Sequence, residues 1–287
     1  MTNKIVLGTA NFGLNYGINN SKGKVSGENI TKILLLAEES GVSIIDTAQA
    51  YGDAEERLGT ILKKIKSNLK TITKLKPSFS DKVSELVDSS LCKLGVKNLY
   101  GVLFHEFKDF LKDKGVYSEL KYLKQQGKIN KIGFSVYYPS EIEFLFNNNI
   151  DFDIIQFPYN VFDRRFDYLL NELKARNVEI HTRSVFLQGL VFMKPEKLPN
   201  SLKGANKSIT ELLNITKKSN MSISKLCLNF VLRNQFIDKV VIGVDSFMQF
   251  EQNLLDIGEA SFMANIGEQL DKLRIEDEKI ILPFNWI

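Results

Sequence analysis

Cysteine, histidine and proline are scarce in this chain of 287 residues, which holds 2 Cys, 2 His and 6 Pro. Cys92 and Cys227 stand far apart without CxxC or CxH spacing, so neither a disulfide framework nor a structural zinc site is expected. Both thiols are read as small apolar packing residues in a reducing compartment, and no metal is called for. Long apolar runs are missing too: the longest, Ile33 to Ala37, is far below the ~18 residues of a bilayer span. The opening MTNKIVLGTANFG lacks the charged-then-apolar pattern of a secretory leader, so a cytoplasmic location without a membrane partner is expected. Nor does one charge dominate. Against 34 Asp+Glu, 38 Lys+Arg leave +4, evenly scattered, which gives no footprint for nucleic acid. No GxGxxG opens the first helix, and no GxxxxGK[ST] occurs, which argues against a doubly wound dinucleotide fold and a P-loop.

What the chain does have is regular alternation. Short β-rich runs lie at Ile5–Thr9, Ser43–Thr47, Thr71–Lys74, Tyr100–Phe104, Lys131–Ser135, Asp153–Gln156, Glu179–Thr182 and Val240–Gly243. Between and after them, helical periodicity covers 28–40, 54–66, 80–94, 115–126, 139–147, 163–176, 208–219 with 222–234, and 247–257. Ser80 and Ser140 stand where helices open, and Gly41 and Gly95 where they stop. Eight such units without a linker or composition break predict an α/β fold, a single (β/α)8 TIM barrel forming one domain over residues 1–287. The segment Leu187 to Lys207 reads as the longest irregular stretch, of the kind that is functional or mobile. The ending Leu282-Pro283-Phe284-Asn285-Trp286-Ile287 is apolar enough to pack on the barrel.

Chemistry in such a barrel belongs at the C-terminal strand ends. Asp46 closes the second run, Tyr51 follows it, Lys74 closes the third and His105 the fourth. Neighbouring parallel strands lie ~4.8 Å apart, so these side chains can meet at one mouth. Singly, each has an ordinary reading: an aspartate caps turns, a lysine is solvated, Tyr51-Gly52 makes a bend, and a histidine sits satisfied in a core. Together they assemble an acid, a phenol, an ammonium and an imidazole.

With those residues in view, the chain resembles the aldo-keto reductase family. The resemblance runs in order through Gly8-Thr9-Ala10-Asn11-Phe12-Gly13, the Asp46-Thr47-Ala48-Gln49-Ala50-Tyr51-Gly52 segment with Glu55 and Leu58-Gly59, Thr73-Lys74 and Leu103-Phe104-His105. It continues with Gly133-Phe134-Ser135, Gln156-Phe157-Pro158-Tyr159-Asn160, Arg183-Ser184 with Gln188-Gly189-Leu190, and Ile242-Gly243-Val244 before Gln252-Asn253.

The resemblance implies an NAD(P)H-dependent reductase of a small-molecule aldehyde or ketone, using NADP(H) or NAD(H). A phenol is a poor proton donor at neutral pH unless its conjugate base is stabilised, and a nearby ammonium supplies that stabilisation. Tyr51 is then the proton donor, Lys74 its partner, Asp46 the holder of Lys74, and His105 a hydrogen-bond donor to the carbonyl oxygen. For the cofactor it implies Ser135 and Gln156 at the nicotinamide carboxamide, and the segment Ile242–Asn253, with Gly243, Asp245, Gln252 and Asn253, at the adenosine end. Four positions depart from the common pattern. Val136 stands where Asn is common, Arg183 where a Tyr stacks on the nicotinamide, and Ile242 where Pro is frequent. Asp245-Ser246 occupies the place of a basic residue, with Arg233, Lys239 or Lys272 as other candidates to meet a 2′-phosphate. Substrate contacts are expected from Asn11, Phe12, Tyr16, Phe107, Tyr137 and the tail residue Trp286. By analogy, a sugar or nucleotide-sugar carbonyl is conceivable. Two other readings remain: a barrel lyase forming a Schiff base on Lys74, and a cofactor-binding regulatory subunit with little turnover.

Overall fold

A computed structural model of the chain describes residues 1–18, 20, 23–77, 82–258 and 266–286. Eight parallel strands close into one barrel: β1 (Ile5–Gly8), β2 (Ile44–Asp46), β3 (Lys70–Leu75), β4 (Gly101–Phe104), β5 (Ile132–Ser135), β6 (Ile154–Pro158), β7 (Glu179–Arg183) and β8 (Lys239–Gly243). The ring closes where β1 lies on β8, with Ile5 opposite Val240 and Gly8 opposite Gly243. Strands covered on both faces need apolar residues on both, and β1, β2, β4, β5 and β6 are buried at every position.

Period-two alternation sets what faces the barrel axis. Val6, Ile44, Ile72, Leu103, Ile154 and Val241 form their own apolar cluster, separate from the larger core between strands and helices. Two residues further along the same strands stand Gly8, Asp46, Lys74, His105, Gln156 and Gly243. The apolar layer is therefore the floor beneath the polar strand ends. Gly133 completes that floor on β5 because nothing larger fits: a Cβ there would lie 2.2 Å from the Ile154 carbonyl oxygen.

The long helices form as their periodicity predicts. Gly27–Glu39 opens on the Ser26 hydroxyl, which accepts from the Asn29 N–H, and Gly95 closes Val83–Leu94 in the left-handed region at φ +66°. Ser80, expected to cap that helix, lies outside the described residues. Ser140 is not a cap; the helix Pro139–Asn147 starts one residue earlier, and the Glu141 carboxylate accepts from the N–H groups of Tyr137 and Tyr138 at 2.7 and 3.0 Å. The expected helix over 163–176 is regular only at Leu170–Ala175, after a 3-10 turn at Asp167–Leu169. Asn160 holds its beginning in a turn by accepting from the Phe162 and Asp163 N–H groups.

Between Leu187 and Lys207 the chain is not irregular throughout: 3-10 turns fill Leu187–Phe192, Pro195–Lys197 and Asn200–Ala205, and a helix starts at Asn206. Short helices at Ala10–Gly13, Phe107–Lys112, Gly267–Asp271 and Glu278–Ile281 were invisible to periodicity because four to six residues carry too little of it. The tail does pack: Leu282 is fully buried, and the Trp286 indole donates to the Ile280 carbonyl at 2.8 Å. Of the two cysteines only Cys227 packs as expected, its thiol pushed up by burial, whereas Cys92 is exposed. Among the described residues no helix is long and apolar enough to cross a membrane.

Candidate active site

The C-terminal strand ends surround a cavity that Asp46, Tyr51, Lys74 and His105 all line. On its wall lies an ion pair between the Lys74 ammonium and Asp46 Oδ1, each residue only 2% exposed. Lys74 Nζ also donates to the Thr47 carbonyl at 3.3 Å and stands 3.5 Å from the Tyr51 hydroxyl. Burial alone would lower the Lys74 pKa, but the Asp46 carboxylate and the Tyr51 oxygen outweigh it and hold it raised. The other Asp46 oxygen accepts from Gln156 Nε2 at 2.9 Å. One carboxylate thus fixes a cation from β3 and an amide from β6.

Tyr51 sits on a loop rather than a strand, and contacts with its neighbours hold that loop. Gln49 N–H donates to the Lys74 carbonyl, while the Gln49 side chain reaches the Leu86 carbonyl and the Ser90 hydroxyl. On the other side Gly13 approaches so closely that a Cβ would lie 1.8 Å from the Tyr51 carbonyl oxygen. The Arg57 guanidinium clamps the facing segment by donating to the carbonyls of Phe12 and Val25. Behind them Glu55 accepts from the Thr73 hydroxyl at 2.6 Å.

His105 presents its ring perpendicular to Tyr51, with centroids 5.7 Å apart. Burial pushes its pKa down to about 4, and the Lys74 and Arg183 cations add to that effect. The imidazole is therefore neutral at physiological pH, with one N–H to donate and Nδ1 buried without a protein partner. This carries a stability consequence. Because the folded value lies below the ordinary 6.5, the unfolded chain takes up the proton first, so His105 weakens the fold as pH falls from about 6.5 toward 4. The loss is on the order of 3 kcal/mol. Urea unfolding of wild type and His105→Asn at both ends of that window should show the difference between them shrinking as the pH falls; a constant difference would mean the ring is not desolvated.

The expected cofactor residues divide into two groups. Ser135, Gln156, Arg183, Gly243 and Asp245 line the cavity. Gln252 and Asn253 do not; they lie on the helix Phe247–Leu255, where Gln252 Nε2 donates to Asp256 Oδ1 at 3.2 Å. Asn253 is buried, and its Nδ2 has no protein partner. The same holds for Gln156 Oε1, and such buried unpaired atoms are what a bound ligand would satisfy. Asp245 accepts from the Asn11 amide, which joins the end of β8 to the segment after β1. Arg183 has one face of its guanidinium taken: it stacks over the Tyr137 ring at 4.1 Å and donates to the Val136 carbonyl at 3.1 Å. Lys239 is turned away from the cavity, at the opposite end of β8, where it donates to the Asn3 carbonyl.

Of the expected substrate contacts, Asn11, Tyr16 and Tyr137 line the cavity. Phe12 and Phe107 do not. Phe12 is fully buried in the core, and Phe107 packs among Phe110, Phe134 and Phe144 with centroids 5.9, 6.2 and 5.7 Å away. Trp286 also stays off the wall, although its neighbour Phe284 meets Tyr137 edge-on at 4.9 Å. Sequence reasoning missed Phe186, Gln188 and Phe192 after β7, together with Asn20 and Gln249. The length of the 187–207 segment was the signal for Gln188 and Phe192, which lie within it, and Phe186 directly precedes it. Gln188 in fact bridges the mouth: its side chain donates to the Tyr16 hydroxyl at 2.9 Å, and its carbonyl accepts from the Ile18 N–H at 3.2 Å.

Known proteins resemble this chain along most of its length. A model of the aldo/keto reductase family matches residues 4–273. The chain is 27% identical to L-galactose dehydrogenase of Arabidopsis thaliana over 256 residues, 81% of this chain and 79% of that one. It is 25% identical over 248 residues to the uncharacterized oxidoreductase YqkF of Bacillus subtilis, 77% and 80% of the two chains. Among solved structures, the holo form of aldo-keto reductase AKR11C1 from Bacillus halodurans superposes with a TM-score of 0.74 at 19% identity, over 96% of this chain and 95% of that one.

Proposed function

The chain belongs to the aldo/keto reductase family, and on that premise we propose that it reduces an aldehyde or ketone to an alcohol with a nicotinamide dinucleotide, acting as one domain. The observation that carries this reading is a buried cation, Lys74, paired with Asp46 and 3.5 Å from the hydroxyl of Tyr51 at the wall of a cavity. Gln156 Oε1 and Ser135 suit the carboxamide of the cofactor, and the unpaired Asn253 Nδ2 suits its base. Gly243, where a Cβ would meet nothing within 4 Å, leaves the β8 end open. When bound, the dihydronicotinamide ring supplies hydride to the carbonyl carbon.

The protein does the rest. Tyr51 passes its phenolic proton to the carbonyl oxygen, and the Lys74 ammonium stabilises the phenolate left behind. Asp46 keeps Lys74 charged and aimed. Neutral His105 donates its N–H to the same carbonyl oxygen as negative charge grows there, without competing as a strong acid. A Schiff-base lyase would need Lys74 as a free amine, whereas Asp46 holds it as an ammonium in an ion pair. The amide and aromatic walls, with Asn11, Tyr16, Gln188 and Tyr137, suit a hydroxylated, sugar-like carbonyl, and one relative carries a sugar in its name. The test is oxidation of NADH and NADPH followed at fixed aldehyde concentration across a panel that includes sugars. No turnover with any carbonyl would favour a regulatory, cofactor-binding role.

Both NAD(H) and NADP(H) fall within this reading, with a tilt toward NAD(H). A 2′-phosphate carries close to two negative charges, and the Asp245 carboxylate on the cavity wall would repel it while able to accept from a free 2′-hydroxyl. Asp245→Arg is expected to move the ratio of kcat/KM values toward NADPH by about tenfold, the size of one surface-accessible charge contact. A strong wild-type preference for NADPH that the substitution leaves untouched would place Asp245 away from the ribose.

A further inference from the structure

Hydride passes only between atoms in contact, so a carbonyl held by Tyr51 and His105 brings the nicotinamide ring to the same part of the cavity. The charge which that ring meets there depends on which side chains are compensated. Lys74 is paired with Asp46, and His105 is kept neutral by burial. Arg183, on the wall at the end of β7, forms no ion pair among the described residues. It stands one strand away from Gln156, whose buried Oε1 has no protein partner.

The guanidinium is fixed in place. One face lies on the Tyr137 ring at 4.1 Å, and one N–H donates to the Val136 carbonyl at 3.1 Å. Phe284 of the tail meets Tyr137 edge-on and steadies the ring under the cation. What Arg183 turns to the cavity is its uncovered side. Its charge reaches across that space: burial pushes the Tyr16 phenol up to about 12 and Arg183 opposes the rise, while burial lowers His105 and Arg183 adds to the fall. From the protein side it acts on Glu141, raised by burial and already accepting from the N–H groups of Tyr137 and Tyr138.

We infer that Arg183 selects the redox state of the cofactor, favouring the reduced nicotinamide and repelling the oxidised one. The inference rests on the reductase reading and adds to it the residue that decides which form of the dinucleotide the site keeps. A dihydronicotinamide ring is neutral, whereas the nicotinamide left after hydride transfer carries a positive charge. Beside an uncompensated cation in a partly dry cavity, where water and salt screen weakly, that charge is opposed. A tyrosine in the place of Arg183 would present an electron-rich face, which attracts a cation; the guanidinium reverses the preference. NADH is then captured in the presence of NAD+, and the oxidised product is released readily once it has formed.

The test is equilibrium binding, which needs no turnover. NADH and NAD+ differ only by the hydride and its charge, so their shared ADP-ribose contacts cancel in the ratio of dissociation constants. Calorimetric titration of wild type is expected to give a Kd for NAD+ about tenfold or more above that for NADH, with the same order for NADP+ and NADPH. Arg183→Gln removes the charge and can still donate to the Val136 carbonyl. It should bring the ratio toward one by tightening the oxidised form, a gain that a damaged fold does not produce. Arg183→Lys keeps the charge and should keep the preference. In aldehyde reduction, inhibition by NAD+ should strengthen in Arg183→Gln by the same factor. Equal affinities in wild type, or a preference that Arg183→Gln leaves unchanged, overturn the inference while the reductase reading stands. Equal weakening of both forms in Arg183→Gln would place the guanidinium on the diphosphate they share and also overturns it. Binding of none of the four dinucleotides, with no carbonyl reduced, brings down the reductase reading and the inference with it.

Discussion

Tyr51→Phe is expected to lower kcat/KM for a generic aldehyde by about 10²–10⁴, the usual worth of a positioned proton donor, with dinucleotide affinity nearly intact. The substitution removes one oxygen and leaves the ring. That ring lies 5.2 Å from Lys74 Nζ and edge-on to His105, so the packing of the cavity floor survives. What disappears is the hydroxyl hydrogen-bonded to Lys74, and with it the proton that must reach the carbonyl oxygen. Steady-state kinetics with a fluorescence titration of NADH separates the two effects. Turnover close to wild type would mean the proton comes from elsewhere.

Lys74→Met should be almost as damaging to turnover, and it should also cost stability. Asp46 would keep Gln156 Nε2 as its side-chain partner but lose its counter-ion while 2% exposed. Removing one member of a buried ion pair costs about 3–5 kcal/mol because the other charge is left behind. The double variant Asp46→Asn with Lys74→Met should recover much of that stability and none of the activity, which distinguishes a broken fold from a missing ammonium. The measurements are urea unfolding and the pH dependence of kcat/KM. A rate–pH profile that coincides with wild type would show that Lys74 does not govern the state of Tyr51.

Much of this site could be read from sequence because barrels convert chain position into space so regularly. Asp46, Lys74 and His105 stand two residues beyond Ile44, Ile72 and Leu103, so alternation alone sends them to the same side of the floor those residues build. Tyr51 needed the family resemblance, since a loop residue has no periodicity to place it. Phe12 and Phe107 were misjudged for a physical reason. An aromatic near a strand end is equally at home in a wall or in the core, and only the packing of Phe110, Phe134 and Phe144 around Phe107 decides the matter. The length of their segment pointed toward Gln188 and Phe192 without placing them, because the segment folds as 3-10 turns around Gln188 and Gly189, at φ +50° and +96°, which no apolar pattern announces.

The pairing of β1 with β8 has a kinetic meaning. Ile5 meets Val240, so the first strand waits for nearly the whole chain before its second edge is covered. During synthesis β1 and β7 each present an open edge to other chains, and contacts between residues so distant in sequence are slow to form. The Asn11–Asp245 bond and the cavity wall across it exist only after that closure. Cofactor capture would therefore report on the completed ring, and conditions that slow closure of the last strand should reduce yield through aggregation before they reduce the activity of the molecules that finish folding.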